Sequence, residues 1–257
     1  DVFEAGAAVV CVTQHFHPVA DTGRDRAAVL LQLGGDDALD LGLRDRRGGK
    51  IRGDALDLAL HFVDRVRSDL DGDADEAGAE ARYLEVDPKS KKVLQDNSDF
   101  RGVNPLGLVP AVSTDDGLIL TENAAILQYV ADRFPDVGLG ATSGIERSRL
   151  HQWLCFIGTE LHKGLFVPLL DRKAPADVHA YALAKGLSRL DYLNTYLEGR
   201  EFLLDHFSVA DAYLGTVLNW SMGTPQIELK KWPAITDYLN RFKTRPSVMK
   251  ALAEELE

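Results

Sequence analysis

A carboxylate and an amide stand side by side at Glu122-Asn123, just ahead of a helical pattern, and this junction is the part of the chain best equipped for chemistry. A helix start presents backbone N–H groups without intrahelical partners and the positive end of the helix dipole, so it can hold an anion such as an α-carboxylate. The plainer alternative is that Thr121 or Asn123 only caps the helix. Lys89, Lys91 and Lys92 form a basic cluster upstream, which either meets an anion or is a solvated loop. His162 and Cys155 add an imidazole and a thiol on one helical stretch; their bland readings are a structural histidine and a small buried hydrophobe. Cys11, His15 and His17 offer three metal-ligand types with no fourth nearby, and no metal site is expected.

The elements around Glu122 follow from turn chemistry. Asn104-Pro105 and Gly107 mark a turn, because proline fixes φ and glycine accepts positive φ. Val109-Pro110 opens a strand at a position where the missing N–H is tolerated. Asp116-Gly117 predicts a hairpin between Ala111-Val112 and Leu118-Ile119-Leu120. Ala125, Ile126, Tyr129, Val130 and Phe134 then recur at helical spacing until Pro135 stops them. Further on, Leu150, Trp153, Leu154, Ile157 and Leu161 trace a helical stripe, and Ser208-Val-Ala-Asp211 is a capping box ahead of an apolar run, with Phe207 placed as its hydrophobic staple.

With these residues in view, the chain from about Glu76 to its C-terminus resembles the glutathione S-transferase family, in particular its bacterial beta class. The resemblance implies an α/β plus all-α fold: a thioredoxin-like glutathione-binding portion over residues 76–138 and a helical C-terminal domain over 144–257. It implies a cis Val109-Pro110 bond, with the Val109 backbone pairing the cysteinyl part of glutathione, Glu122 and Asn123 holding the γ-glutamyl end, and Lys91 meeting the glycyl carboxylate. His162 and Lys163 match positions facing the cleft, His162 with Cys155 as candidate catalytic groups, and Lys163 with Trp220 as candidates for the hydrophobic-substrate pocket; core packing is the alternative for Trp220. Cys155 stands where an asparagine is usual, and Asn123 where serine or glycine is usual. Asp205 replaces a frequent glycine and is expected to strain a left-handed turn.

The first third does not follow this pattern. A thioredoxin-like half should begin with a strand, a catalytic loop and a helix shortly before Tyr83-Leu-Glu-Val86, which reads as the second strand. The interval Asp57–Ser68 holds neither cysteine nor tyrosine and instead carries a helical stripe, Leu56, Leu60, Val63, Val66 and Leu70. Ala28–Leu33 or Ala7–Val12 are the candidate first strands. Residues 1–75 contain no Asn, Tyr, Trp or Met and only Lys50, Ile51 and Ser68 of their types. Such a skew marks either a partly disordered or partly helical extension or a frame-shifted or misplaced start, and the first residue is not methionine.

The whole-chain figures suit a packed cytoplasmic enzyme. The 257 residues and 45% apolar content suffice for one large or two modest domains. Two cysteines imply no disulfide framework and a reducing compartment, no segment reads as a signal peptide or membrane span, and a net charge of −11 argues against nucleic acid. The expected function is conjugation of the glutathione thiol to a small electrophile by a homodimer, with glutathione as co-substrate. The alternative is a catalytically impaired binding or interaction protein of the same fold, lacking the first-strand loop.

Overall fold

The computed structural model describes residues 28–34, 80–87, 89–114, 117–133 and 135–249. The expectations for Cys11, His15 and His17, the helical stripe of Asp57–Ser68 and the character of most of residues 1–75 lie outside them. The chain divides into two compact units, one ending at Ile126 and the other comprising Leu127–Met249.

The first unit is built on a four-stranded sheet, β1 (Ala28–Gly34), β2 (Glu80–Val86), β3 (Ala111–Ser113) and β4 (Ile119–Thr121), in the order β2-β1-β3-β4. Of the two candidate first strands, Ala28–Leu33 falls within β1, and Ala7–Val12 lies outside the described residues. β1 runs antiparallel to β2, Ala28 opposite Val86 and Gly34 opposite Glu80, and parallel to β3. A strand–helix–strand unit would make the first two strands parallel, since a crossover helix returns the chain to the same end of the sheet. The irregular first third thus coincides with a reversed first strand. β3 and β4 form the expected hairpin, with Thr114 accepting from Gly117 at its turn.

Between β2 and β3 the chain has almost no regular structure and is held by side chains instead. Asp87 Oδ1 accepts from the Lys89 N–H at 2.8 Å and Oδ2 from the Ser90 hydroxyl at 2.9 Å. These bonds, that to Lys89 first, keep its carboxyl below the usual range. Val86, Val93, Phe100 and Ala111 pack into one small core, with Val103 and Val109 against it. Buried Asn104 accepts from the Leu106 N–H and donates to the Leu108 carbonyl, fixing the turn that leads to Val109.

The second unit is helical. Helix α1 (Asn123–Arg133) leads into it; α2 (Gly144–Phe156) continues without a break as a π-helical stretch, Ile157–Phe166, and then as α3 (Val167–Leu170). α4 (Ala176–Leu197), α5 (Val209–Asn219) and α6 (Pro233–Lys243) follow. α5 is buried from Val209 to Leu218, so it forms the centre of the unit rather than one face of it. Two glycines let neighbours approach closely. A Cβ at Gly186 would lie 2.4 Å from Leu165, and one at Gly215 would lie 2.3 Å from the Phe242 ring.

The capping box forms as its residues predict, and it anchors more than one helix. Asp211 Oδ2 accepts from the Ser208 N–H and hydroxyl at 2.9 and 2.8 Å, while Oδ1 accepts from the Leu203 N–H at 2.9 Å and the Tyr238 hydroxyl at 3.0 Å. Burial pushes this carboxyl up, and those four donors pull it back. Phe207 packs edge-on against Phe202 and flat over Phe242, with the Arg245 guanidinium 3.8 Å from its ring centre. The strain expected at Asp205 is absent: the left-handed residue of this connection is Gly199, at φ +69°, because the loop after it is fixed by the bonds to Leu203 rather than by a turn at 205. α6 starts with Pro233 and takes its cap from α4, where Asn194 Oδ1 accepts from the Ala234 N–H at 2.9 Å.

Candidate functional site

The first unit brings four of the expected residues to one end of its hairpin. Ala111 and Thr121 are cross-strand partners, so Pro110 and Glu122, the next residues outward, lie at the same end, with Val109 and Asn123 beyond them. The Val109-Pro110 peptide is cis, as the resemblance implied. Pro110 is buried and Val109 half-buried against the small core, which leaves Val109 at the rim of the sheet.

Glu122 is exposed and adopts φ +71°, in the left-handed region that a residue with a side chain occupies only at a cost of roughly 1–2 kcal/mol. That single residue turns β4 directly into α1, whose first bonds run from the Ala125 and Ile126 N–H groups to the Glu122 carbonyl. The junction thereby offers a carboxylate, the Asn123 amide and the first N–H groups of a helix within two residues.

Lys91 reaches the same region by way of a glycine. It too has a positive φ, +59°, and its carbonyl accepts from the N–H of buried Phe100. Its Cγ and Cδ lie 3.5 Å from where a Cβ on Gly107 would be, so the lysine stem lies over Gly107, two residues ahead of Val109. Gly107 itself, at φ +59°, meets both demands with no side chain. An ammonium, a strand-like backbone edge and an anion-binding helix start are thus collected in one unit. They suit an extended peptide with a carboxylate near each end.

The second unit holds the remaining candidates. His162 sits on the π-helical stretch and points inward. Its Nδ1 lies 2.6 Å from the Tyr213 hydroxyl on α5, and the Trp220 ring stands edge-on to it at 4.8 Å and 85°. Burial first, and the adjacent Lys163 second, bring its pKa down to about 4, so the imidazole is neutral at pH 7. Trp220 is half-buried, opens a 3-10 turn after α5, and touches Phe166 as well. Lys163 is exposed.

Cys155 departs from expectation: it is exposed rather than a small buried hydrophobe. Seven residues are nearly two turns of α-helix, which would set Cys155 and His162 on one face. The wider π turns begin at Ile157 and change that phase, as the Val167 N–H bonding five residues back to the His162 carbonyl shows. Tyr213 is the residue that sequence reasoning missed. It lies in an apolar run, where a tyrosine looks like one more core side chain, and only its spacing of two from Asp211 hinted that the cap would fix it in place.

Comparison with known proteins places these features in context. The glutathione S-transferase N-terminal domain family matches residues 74–133 and the glutathione S-transferase C-terminal domain family residues 152–246. The chain is 38% identical over 182 residues to glutathione S-transferase GstA of Escherichia coli O157:H7, covering 70% of this chain and 89% of that protein. Among solved structures, a sphingomonad glutathione S-transferase complexed with glutathione matches at 38% identity and a TM-score of 0.65, covering 78% of this chain and 94% of the other. The bacterial beta class glutathione S-transferase of Sphingomonas chungbukensis matches at 37% identity and a TM-score of 0.66, covering 79% and 94%. Among the described residues no helix is long and apolar enough to cross a membrane.

Proposed function

Because the chain belongs to the glutathione S-transferase family, with a thioredoxin-like portion followed by a helical domain, we propose that it is a transferase that conjugates the glutathione thiol to small electrophiles. The observation that carries this is the hairpin register, which sets Val109-Pro110 beside Glu122-Asn123 with the Lys91 stem over Gly107. Glutathione is an extended peptide with a carboxylate at each end. Val109 pairs its cysteinyl backbone as a neighbouring strand would, and Pro110 shapes that edge. Glu122 takes the γ-glutamyl ammonium, Asn123 and the α1 start take the adjoining carboxylate, and Lys91 takes the glycyl carboxylate.

With both ends held, the sulfur has one position. For the group that activates the sulfur the family resemblance offers His162, and for the groups that meet the electrophile it offers Trp220 and Lys163. A neutral imidazole donates one N–H bond to the sulfur, which favours the thiolate over the thiol. The thiol proton leaves to water, the sulfur lone pair forms a C–S bond with the electrophilic carbon, and the leaving group departs with its electrons. Exposed Cys155 has no part in this.

The protein acts as a homodimer in the reducing cytoplasm. Exposed Tyr181 and Tyr192, about three turns apart on one side of α4, give it an aromatic face suited to a second copy. Light scattering should return twice the chain mass of 28.2 kDa.

Turnover of a general aryl halide with glutathione, followed by absorbance, tests the central reading alongside retention on immobilised glutathione. Retention and turnover together are expected. Retention without turnover of any electrophile in a broad panel would overturn the enzyme and leave a glutathione-binding protein.

A further inference from the structure

We propose that Arg101 is a specificity-determining residue for the thiol co-substrate: it closes over Gly107 beside Lys91 as a second cation for the glycyl carboxylate of glutathione, and so selects the free carboxylate over an esterified or amidated glycyl end. This rests on the reading above that Lys91 meets that carboxylate, and every residue it uses belongs to the first unit.

Both cations reach the same glycine. A Cβ on Gly107 would lie 3.4 Å from the Arg101 Cγ and 3.5 Å from the Lys91 Cγ and Cδ, so the two stems meet over one stretch of backbone. The Gly107 N–H donates to the Asn104 carbonyl at 2.8 Å, which fixes that stretch. The segments that carry the cations are tied together as well, because the N–H of Phe100, next to Arg101, donates to the Lys91 carbonyl at 2.8 Å. Val109 stands two residues beyond Gly107 and pairs the cysteinyl unit in this reading. With the γ-glutamyl end at Glu122, on the Pro110 side of Val109, the glycyl end runs toward Gly107. The glycyl unit adjoins the cysteinyl one, so its carboxylate ends about one residue, ~3.5 Å, past that pairing.

Asp99 holds the arginine in place. Its Oδ1 accepts from the Arg101 N–H and from the Arg101 Nε, both at 3.0 Å, and so caps the 3-10 turn Phe100–Gly102 while it grips the side chain. Those bonds, the backbone one first, keep the Asp99 carboxyl below the usual range, so it stays an anion. The bond at Nε uses one guanidinium donor and leaves the rest for a second acceptor. The two side chains are 55% and 46% exposed, and a surface pair of this kind adds little to stability. It does restrict a long side chain that would otherwise be free to leave Gly107, which lowers the entropy cost of meeting a ligand. Lys91 then supplies a point charge and Arg101 a planar fork matched to a carboxylate.

Isothermal titration of the full chain with glutathione and with its glycyl ethyl ester compares a charged and a neutral end on the same peptide. The unsubstituted protein should bind glutathione more tightly than the ester. Arg101→Ala should weaken glutathione about tenfold and leave the ester unchanged, and Arg101→Lys should recover part of that loss. Lys91→Ala should narrow the preference in the same sense. The ester is also the control for folding, since a variant damaged in structure loses both ligands. Equal loss of both ligands in Arg101→Ala, or loss of neither, overturns the proposal. If Lys91→Ala narrows the preference and Arg101→Ala does not, the lysine holds the glycyl end alone: the proposal falls and the docking of glutathione stands. If neither variant narrows it, the glycyl carboxylate lies elsewhere and the underlying reading of Lys91 falls too.

Discussion

Replacing Asp211 with alanine should cost this protein ~3 kcal/mol of stability, more than any other single change to the capping box. The figure follows from the four donors that share its carboxylate: the Leu203 and Ser208 N–H groups and the Ser208 and Tyr238 hydroxyls. Asp211 is fully buried, so water does not replace what is removed. The hydroxyls have recourse. Tyr238 already lies 3.3 Å from the Asp211 carbonyl, and the Ser208 hydroxyl can rotate. The two N–H groups do not, and each buried donor left unpaired costs about 1–3 kcal/mol. Loss of the buried charge's own desolvation cost offsets part of that sum. Asp211→Asn keeps one oxygen but turns an amine toward two donors, and should cost ~2 kcal/mol; Ser208→Ala loses one cap bond, ~1 kcal/mol. Urea unfolding followed by circular dichroism, at one fixed protein concentration so that any self-association stays constant, gives the three values. The slope should stay constant while the midpoint falls in the order Ser208→Ala, Asp211→Asn, Asp211→Ala. An Asp211→Ala midpoint within 1 kcal/mol of the parent, or a reversed order, would refute the idea that this carboxylate ties α5, α6 and the preceding loop together.

Three further outcomes follow from other positions. His162 has a folded pKa of about 4 against an ordinary 6.5, so the folded state favours the neutral ring. Its contribution is complete above pH 6.5 and lost as pH falls toward 4, by at most ~3 kcal/mol, and the stability gap to His162→Gln should change over that window alone. Glu122→Gly relieves a left-handed side chain and should leave stability unchanged or up to ~1 kcal/mol higher, while retention on immobilised glutathione drops, which thermal melting and column elution check together. Gly215→Ala puts a Cβ into the Phe242 ring and should cost about 1–3 kcal/mol, with partial recovery in the double variant carrying Phe242→Leu.

What could be read from the sequence was whatever rests on local turn chemistry. Val109-Pro110 and Gly117 located the hairpin, Pro135 ended α1, and Ser208 with Asp211 announced the cap, because proline, glycine and capping side chains act on their immediate neighbours. The positions of Val109, Pro110, Glu122 and Asn123 could be foreseen with them, since these four flank that hairpin. Properties decided by packing were not visible. A glutamate gives no sign of a positive φ at Glu122. The π register of Ile157–Phe166 depends on what the helix packs against, and the exposure of Cys155 likewise had no mark in the sequence. Ala28–Leu33 had the β-branched and aliphatic character of a strand, but composition carries no direction, so its antiparallel run beside β2 could not be foreseen.

The π-helical stretch makes the number of residues, as distinct from their identity, part of the site. A Cβ on Gly164 would lie 2.8 Å from the Thr159 carbonyl, five residues back, so the stretch keeps its wider turns only where a residue without a side chain allows them. Losing one residue between Ile157 and His162 would leave a continuous helix with much the same composition, yet every side chain on one side of the cut would be rotated by about 100° relative to the other. His162 would then leave Tyr213 and Trp220 without any of the three having been substituted. Chains that share these side chains but differ by one residue in this helix would keep the fold and lose the cluster of His162, Tyr213 and Trp220.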